Sequence, residues 1–309
     1  MICHCGGGGG GGTSGIQLMS DVIYKLARFS RRDQQGPRVG VWTPEERFFD
    51  LGGAGVGSLG AILESANPAR AIRDALGAGA PEVPGAEVRL LAPADEQEVW
   101  AAGVTYLRSK KARMEESDFS ASAYDRVYEA ARPEIFFKSL GSKVAGPDTE
   151  VGIREDARWN VPEPELALVL NSRRELVGYT IGNDMSSRDI EGENLLYLPQ
   201  AKTYHRSCGL GPWIIIGASE EMARSWTIRV AIERGGAEVF SGETSVGQIK
   251  RSFDELSGYL FRSQRFPSGA VLLTGTGVVP PDTFTLAAGD KVTICVSGIG
   301  SLANTVAVV

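Results

Sequence analysis

The chain has 309 residues, 32 Lys and Arg against 38 Asp and Glu, a net charge of −6 and 42% hydrophobic residues. That length and apolar content can bury the core of one large or two smaller domains. The acidic balance, without a basic stripe, excludes nucleic acid and anionic membrane surfaces as expected partners, and no run of about eighteen apolar residues is available to span a bilayer.

The first eighteen residues differ from the rest. Cys3-His4-Cys5 is followed by a run of seven glycines. Polyglycine cannot offset its own ordering entropy, so a disordered leader is expected over 1–18. The natural start is expected at Met19, with the leader an upstream extension or an artefact. Cys-His-Cys carries metal-ligand chemistry, but three ligands on such a tail make a weak site. The other cysteines, Cys208 and Cys295, are far apart, which fits a reducing cytoplasm and not a disulfide framework.

Short alternating segments at 24–29, 38–42 and 47–51 read as antiparallel strands. A helix is expected over 65–76, with Asn67-Pro68 near its start and Gly77 as its C-cap. A Pro/Gly linker over 79–85 and the stretch 88–93 lead to a boundary near residue 95, giving a small N-terminal α+β domain over 19–95 and a catalytic domain over 96–309. Beyond it come a strand over 99–106, a charged segment over 108–117, a helix over 121–131 stopped by Pro133, and a buried strand over 135–138. Further strands are expected at 213–216, 227–232, 238–240, 271–273 and 291–296, with one helix near 252–261. Many short strands and few helices give an α+β fold whose sheets roll over one another.

The most informative stretch is Glu163-Pro164-Glu165-Leu166, followed by Asn183-Asp184. Residues 165–170 and 176–181 read as two strands joined by a turn at 171–174. Side chains alternate with period two, so Glu163 and Glu165 share a face, and a hairpin turning near Arg173 sets Glu163 beside Asp184. Three carboxylates on one face repel unless a cation lies between them. Oxygen ligands without His or Cys favour Mg²⁺, with Mn²⁺ or Ca²⁺ as alternatives. The same spacing also fits a solvated polar face on an edge hairpin.

A series of motifs now carries a family resemblance. Gly103-Val104-Thr105-Tyr106, Phe136-Phe137-Lys138, Glu163-Pro164-Glu165-Leu166-Ala167, residues 178–189 ending in Asn183-Asp184-Met185-Ser186-Ser187-Arg188-Asp189, Lys202, Thr274-Gly275-Thr276 and Gly298-Ile299-Gly300 occur in the order found in the fumarylacetoacetate hydrolase superfamily. The chain resembles that family over 96–309. The resemblance implies a mixed β-roll/β-sandwich core, a Mg²⁺ or Mn²⁺ site at Glu163, Glu165 and Asp184, a small 2-oxo acid substrate and a homo-oligomer, dimer or tetramer. The stretch from Ser187 through Glu191-Gly192-Glu193-Asn194 to Lys202 is similar to the sugar-acid branch, which dehydrates 2-keto-3-deoxy-arabinonate or -xylonate.

Carbon–carbon hydrolases of the family place a His–Glu pair after the Tyr106-like position. Here the only histidines are His4 and His205, which weighs against hydrolysis and is compatible with elimination of water. The expected reaction converts a 2-keto-3-deoxy-pentonate to 2,5-dioxopentanoate, with Glu116 and Lys202 as the acid–base pair. Each has a plainer reading, Glu116 as a solvated helix-face residue and Lys202 as a salt bridge to a metal-site carboxylate. Thr276, Lys138, Arg108 and Glu193 are expected to contact substrate, and Arg188 with Asp189 to orient the ligands from behind. Two other functions stay open: a hydrolase or decarboxylase of acylpyruvate, fumarylacetoacetate or oxaloacetate, and a non-catalytic metal-binding protein.

Overall fold

The computed structural model describes residues 22–31, 34–106 and 126–309. Its main sheet begins with β1 (Tyr24–Arg31), β2 (Gln34–Trp42) and β3 (Phe48–Asp50), which form an antiparallel meander, and β4 (Val88–Leu91). It continues through β5 (Glu98–Gly103) and β6 (Glu134–Leu140). The hairpin strands are β9 (Pro164–Leu170) and β10 (Leu176–Asp184), and β12 (Cys208–Ile216) and β15 (Ala270–Leu273) complete the sheet. Strand order is β3-β2-β1-β12-β10-β9-β15-β5-β6, with β4 on β1. β1 pairs with β12, Leu26 opposite Ile214, so the N-terminal strands extend the sheet that carries the hairpin.

A second sheet has the order β14-β13-β16-β17-β7. It comprises β7 (Glu150–Ile153), β13 (Thr227–Arg234), β14 (Ala237–Ser245), β16 (Lys291–Val296) and β17 (Gly300–Val308). β13 shows the period-two rule plainly: Ile228, Val230 and Ile232 are buried, while Thr227 and Arg229 are exposed. β8 (Asn160–Val161) and β11 (Ser186–Ser187) make a small separate pair.

β9 is buried along its whole length because both its faces are covered. On one face Leu166, Leu168 and Leu170 pack with Ile228, Val230 and Ile294 of the second sheet and with Phe253 and Leu256 of a helix over Phe253–Leu260. On the other, Ala167 joins Ala101, Leu210 and Leu273. Farther along that face, Val169 and Ile214 pack against Leu59, Ile62 and Ile72 from α1 (Leu59–Leu63) and α2 (Pro68–Gly77). At about 25 cal/mol per Å² this apolar burial is the main stabilising term.

Some expectations move. α2 starts at Pro68, because the Asn67 side chain accepts the N–H of Arg70 and caps the first turn. It runs through Gly77, and the left-handed residue beyond it is Gly79. α1, capped by Ser58, has too few apolar repeats to read from sequence. The stretch 88–93 turns back onto β1 as β4. Of the helix expected over 121–131, residues 126–129 are helical and 121–125 lie outside the described residues. Among the described residues no helix is long and apolar enough to cross a membrane.

Candidate metal centre

The β9–β10 register builds the site. Asn183 lies opposite Pro164 and Gly182 opposite Glu165, and the Asp184 N–H donates to the Glu163 carbonyl at 2.9 Å. Directly paired residues share a face, so Glu163, Glu165 and Asp184 converge. They are 2%, 1% and 1% exposed, and one oxygen from each lies within 4.8 Å of the others. At an effective dielectric near 20, two full charges at that separation repel by about 3.5 kcal/mol.

Among the described residues, three cationic side chains answer two of the three carboxylates. Lys202 Nζ donates to Glu163 Oε2 at 2.7 Å and to Asp184 Oδ2 at 3.2 Å. Lys138 Nζ lies 2.6 Å from Asp184 Oδ1, and Arg188 Nη2 lies 2.9 Å from Glu163 Oε1. Glu165 is different: its Oε2 accepts the backbone N–H of Gly275 at 2.6 Å. Burial pushes the Glu165 carboxyl well above the ordinary carboxylate range, helped by the charges of Asp184 and Glu163, while the Gly275 N–H and Lys202 oppose the shift.

The loop that supplies Gly275 is tied at several points. Thr274 Oγ1 donates to the Leu166 carbonyl at 2.9 Å, and Thr105 Oγ1 donates to the Thr274 carbonyl at 2.6 Å. Gly275 sits at φ +90, and a Cβ there would lie 2.1 Å from Thr105 Oγ1, so only glycine brings its N–H to Glu165. Tyr106, fully buried beside this loop, has its phenol pushed up by burial and by the charge of Glu165. Thr105 and Tyr106 were visible in the Gly-Val-Thr-Tyr motif, but nothing local linked them to Glu165.

The remaining expected residues fall as follows. Lys202 ends α4 (Leu198–Lys202), which follows α3 (Arg188–Glu193). Thr276 is buried, and its hydroxyl donates to the Val278 carbonyl at 2.9 Å. Lys138 is fully buried on β6. Asp189 accepts the N–H of Arg158 at 2.7 Å, while Arg188 turns to Glu163. Glu193 is exposed at the end of α3, whereas Glu191 is buried and accepts from Ser186 Oγ at 2.8 Å. Glu116 and Arg108 lie outside the described residues.

The donor set fits a hard divalent cation. Burying three carboxylates this close is costly without one, all donors are oxygen, and among the described residues Glu165 is given no cationic side chain of its own.

The model of the fumarylacetoacetate (FAA) hydrolase C-terminal region matches residues 98–307. A probable 2-keto-3-deoxyxylonate dehydratase of Haloferax volcanii is 48% identical over 217 residues, covering 70% of this chain and 74% of that protein. The 2-dehydro-3-deoxy-D-arabinonate dehydratase of Saccharolobus solfataricus is 38% identical over 219 residues, with the same coverage. Among solved structures, 2-keto-3-deoxy-D-arabinonate dehydratase complexed with magnesium and 2,5-dioxopentanoate superimposes with a TM-score of 0.78 at 30% identity, over 92% of this chain and 99% of that one.

Proposed function

The chain belongs to the fumarylacetoacetate hydrolase family, and on that premise we propose that it is a Mg²⁺-dependent dehydratase converting a 2-keto-3-deoxy-pentonate to 2,5-dioxopentanoate and water. The observation that carries this reading is the buried Glu163–Glu165–Asp184 cluster in a chain 48% and 38% identical to two such dehydratases. Mn²⁺ and Ca²⁺ are alternative occupants of the same oxygen ligands.

Glu163, Glu165 and Asp184 hold the ion. When bound, it supplies Lewis acidity to a 2-oxo acid, which acidifies the C3 protons. Lys202 and Glu116 are the two groups we assign to proton transfer, one at C3 and the other at the departing C4 hydroxyl, and Lys202 is the one placed at the site. Its support is an ammonium 2.7 Å from Glu163 and 3.2 Å from Asp184, at the edge of the ligand cluster. The C3–H and C4–OH bonds break with loss of water, and tautomerisation through C5 leaves the aldehyde. Thr276 and the Gly275 loop form the wall on which we expect the substrate carboxylate to rest, and Arg108 and Glu193 stay as candidate contacts to carboxylate and sugar hydroxyl.

We further read residues 96–309 as the catalytic domain and 19–95 as a small N-terminal domain, in a cytoplasmic homo-oligomer. The test uses metal-stripped protein with 2-keto-3-deoxy-D-xylonate and its D- and L-arabinonate counterparts, with and without Mg²⁺, coupling the product aldehyde to a 2,5-dioxopentanoate dehydrogenase. Metal-dependent aldehyde formation is expected. Its absence, with pyruvate released from an acylpyruvate or oxaloacetate, would replace dehydration by C–C cleavage.

A further inference from the structure

Lys138 lies in an apolar strand between two phenylalanines and Ser139, and it is 0% exposed. An ammonium has three N–H donors, and this one has three acceptors within the protein. They are Asp184 Oδ1 at 2.6 Å, the Met185 carbonyl at 2.8 Å and the Lys202 carbonyl at 2.5 Å. These acceptors belong to the last residue of β10, the residue that follows it and the last residue of α4. One side chain on β6 therefore ties a metal ligand, the backbone that follows it and the backbone of the proposed proton-transfer lysine to a single point.

We infer that Lys138 is a positioning residue that fixes Asp184 and Lys202 relative to one another, and that it does not contact substrate. Donation to a substrate carboxylate would require one of the three acceptors to give up its bond, and two of those are buried carbonyls. The charge alone does not explain the choice of residue. Lys202 already neutralises Asp184 from its other oxygen, and a buried ion pair is weak evidence for stabilisation in itself. What lysine adds is a compact tripod of donors, which the flat guanidinium fork of arginine does not reproduce.

This inference rests on the metal-dependent reading above, so its test separates the two. Mn²⁺ is titrated into metal-free wild type, Lys138→Met and Lys138→Arg, with free and bound ion read by electron paramagnetic resonance and thermal melts run in parallel. Removal of groups that orient a ligand typically weakens metal binding by about 10–100-fold. A loss of that order is expected in both variants, with a broadened bound-ion spectrum and a fall in kcat exceeding any rise in KM. Arginine keeps the charge, so wild-type Mn²⁺ affinity in Lys138→Arg would overturn positioning in favour of a simple counter-charge. Wild-type affinity in both variants with only KM raised would make Lys138 a substrate contact. Should Lys138→Met fail to fold, Lys138→Arg decides alone. No Mn²⁺ binding by the wild type would overturn the metal centre itself.

Discussion

Glu165 should make the stability of the metal-free protein depend on pH in an unusual direction. Its carboxyl is held well above the ordinary carboxylate range in the folded state, first by burial and then by Asp184 and Glu163. A raised folded pKa means that its contribution is fully present below the unfolded value and is lost as pH rises through the folded one. Two neighbours within 4.8 Å would each contribute repulsion of about 3.5 kcal/mol at an effective dielectric near 20. The Gly275 N–H and Lys202 offset part of this, leaving an effect on the order of a few kcal/mol. In a chain of this size 1 kcal/mol moves Tm by roughly 2–4 °C. Metal-free wild type should therefore melt several degrees lower at pH 8 than near pH 5, relative to Glu165→Gln, whose amide keeps the shape without the charge. Saturating Mg²⁺ should abolish the wild-type deficit, because the ion replaces repulsion by ligation, and should give the Gln variant much less. The assay is a set of melts over pH for both proteins, with EDTA or Mg²⁺. Parallel pH curves for wild type and Glu165→Gln, or equal Mg²⁺ gains in both, would refute the reasoning.

Three more outcomes follow from the same geometry. Glu163→Gln should lower turnover by roughly three orders of magnitude, as expected for losing several kcal/mol of Lewis-acid stabilisation. It is a cleaner probe than alanine, which would leave Lys202 and Arg188 facing an empty space; steady-state kinetics at saturating Mg²⁺ decide, and retained turnover would remove Glu163 from the ligand set. Gly275→Ala should cost about 1–3 kcal/mol of stability, since alanine is strained at φ +90 and its Cβ meets Thr105 Oγ1, measured by urea unfolding. Burial pushes the Cys208 thiol up to about 12, so iodoacetamide at pH 8 should label the partly exposed Cys295 and spare Cys208 until the protein unfolds, as read by peptide mass spectrometry.

The convergence of Glu163, Glu165 and Asp184 was legible because it depends on two local rules, alternation along a strand and the offset set by one short turn, and both operate within twenty-odd residues. Lys138 was legible as a charge ending an apolar strand and, through its motif, as an expected substrate contact, but not as a tie between Asp184 and Lys202. That its ammonium points inward follows from the packing of α4 against β6, which no local pattern encodes. α3 and α4 were read only as a motif, since Arg188-Asp189-Ile190-Glu191-Gly192-Glu193 has no apolar repeat of helical period. The exposure of Glu193 and burial of Glu191 depend on the same missing phase. The pairing of β1 with β12 was equally invisible, because both strands are apolar enough to join any sheet and the choice is made by partners far along the chain.

The bond between Gly275 and Glu165 also has a consequence for biosynthesis. Its two ends are separated by 110 residues, and Thr105 reaches Thr274 across 169. A growing chain that has made the hairpin and all three carboxylates still lacks the strand and loop that enclose Glu165, and these come only with β15 and Gly275, close to the end of translation. From its completion at Asp184 the hairpin therefore spends most of the remaining synthesis with one wall missing. Closure of the carboxylate cluster that we propose as the metal site is thus expected late in the life of the nascent chain, since long-range contacts of this kind form slowly.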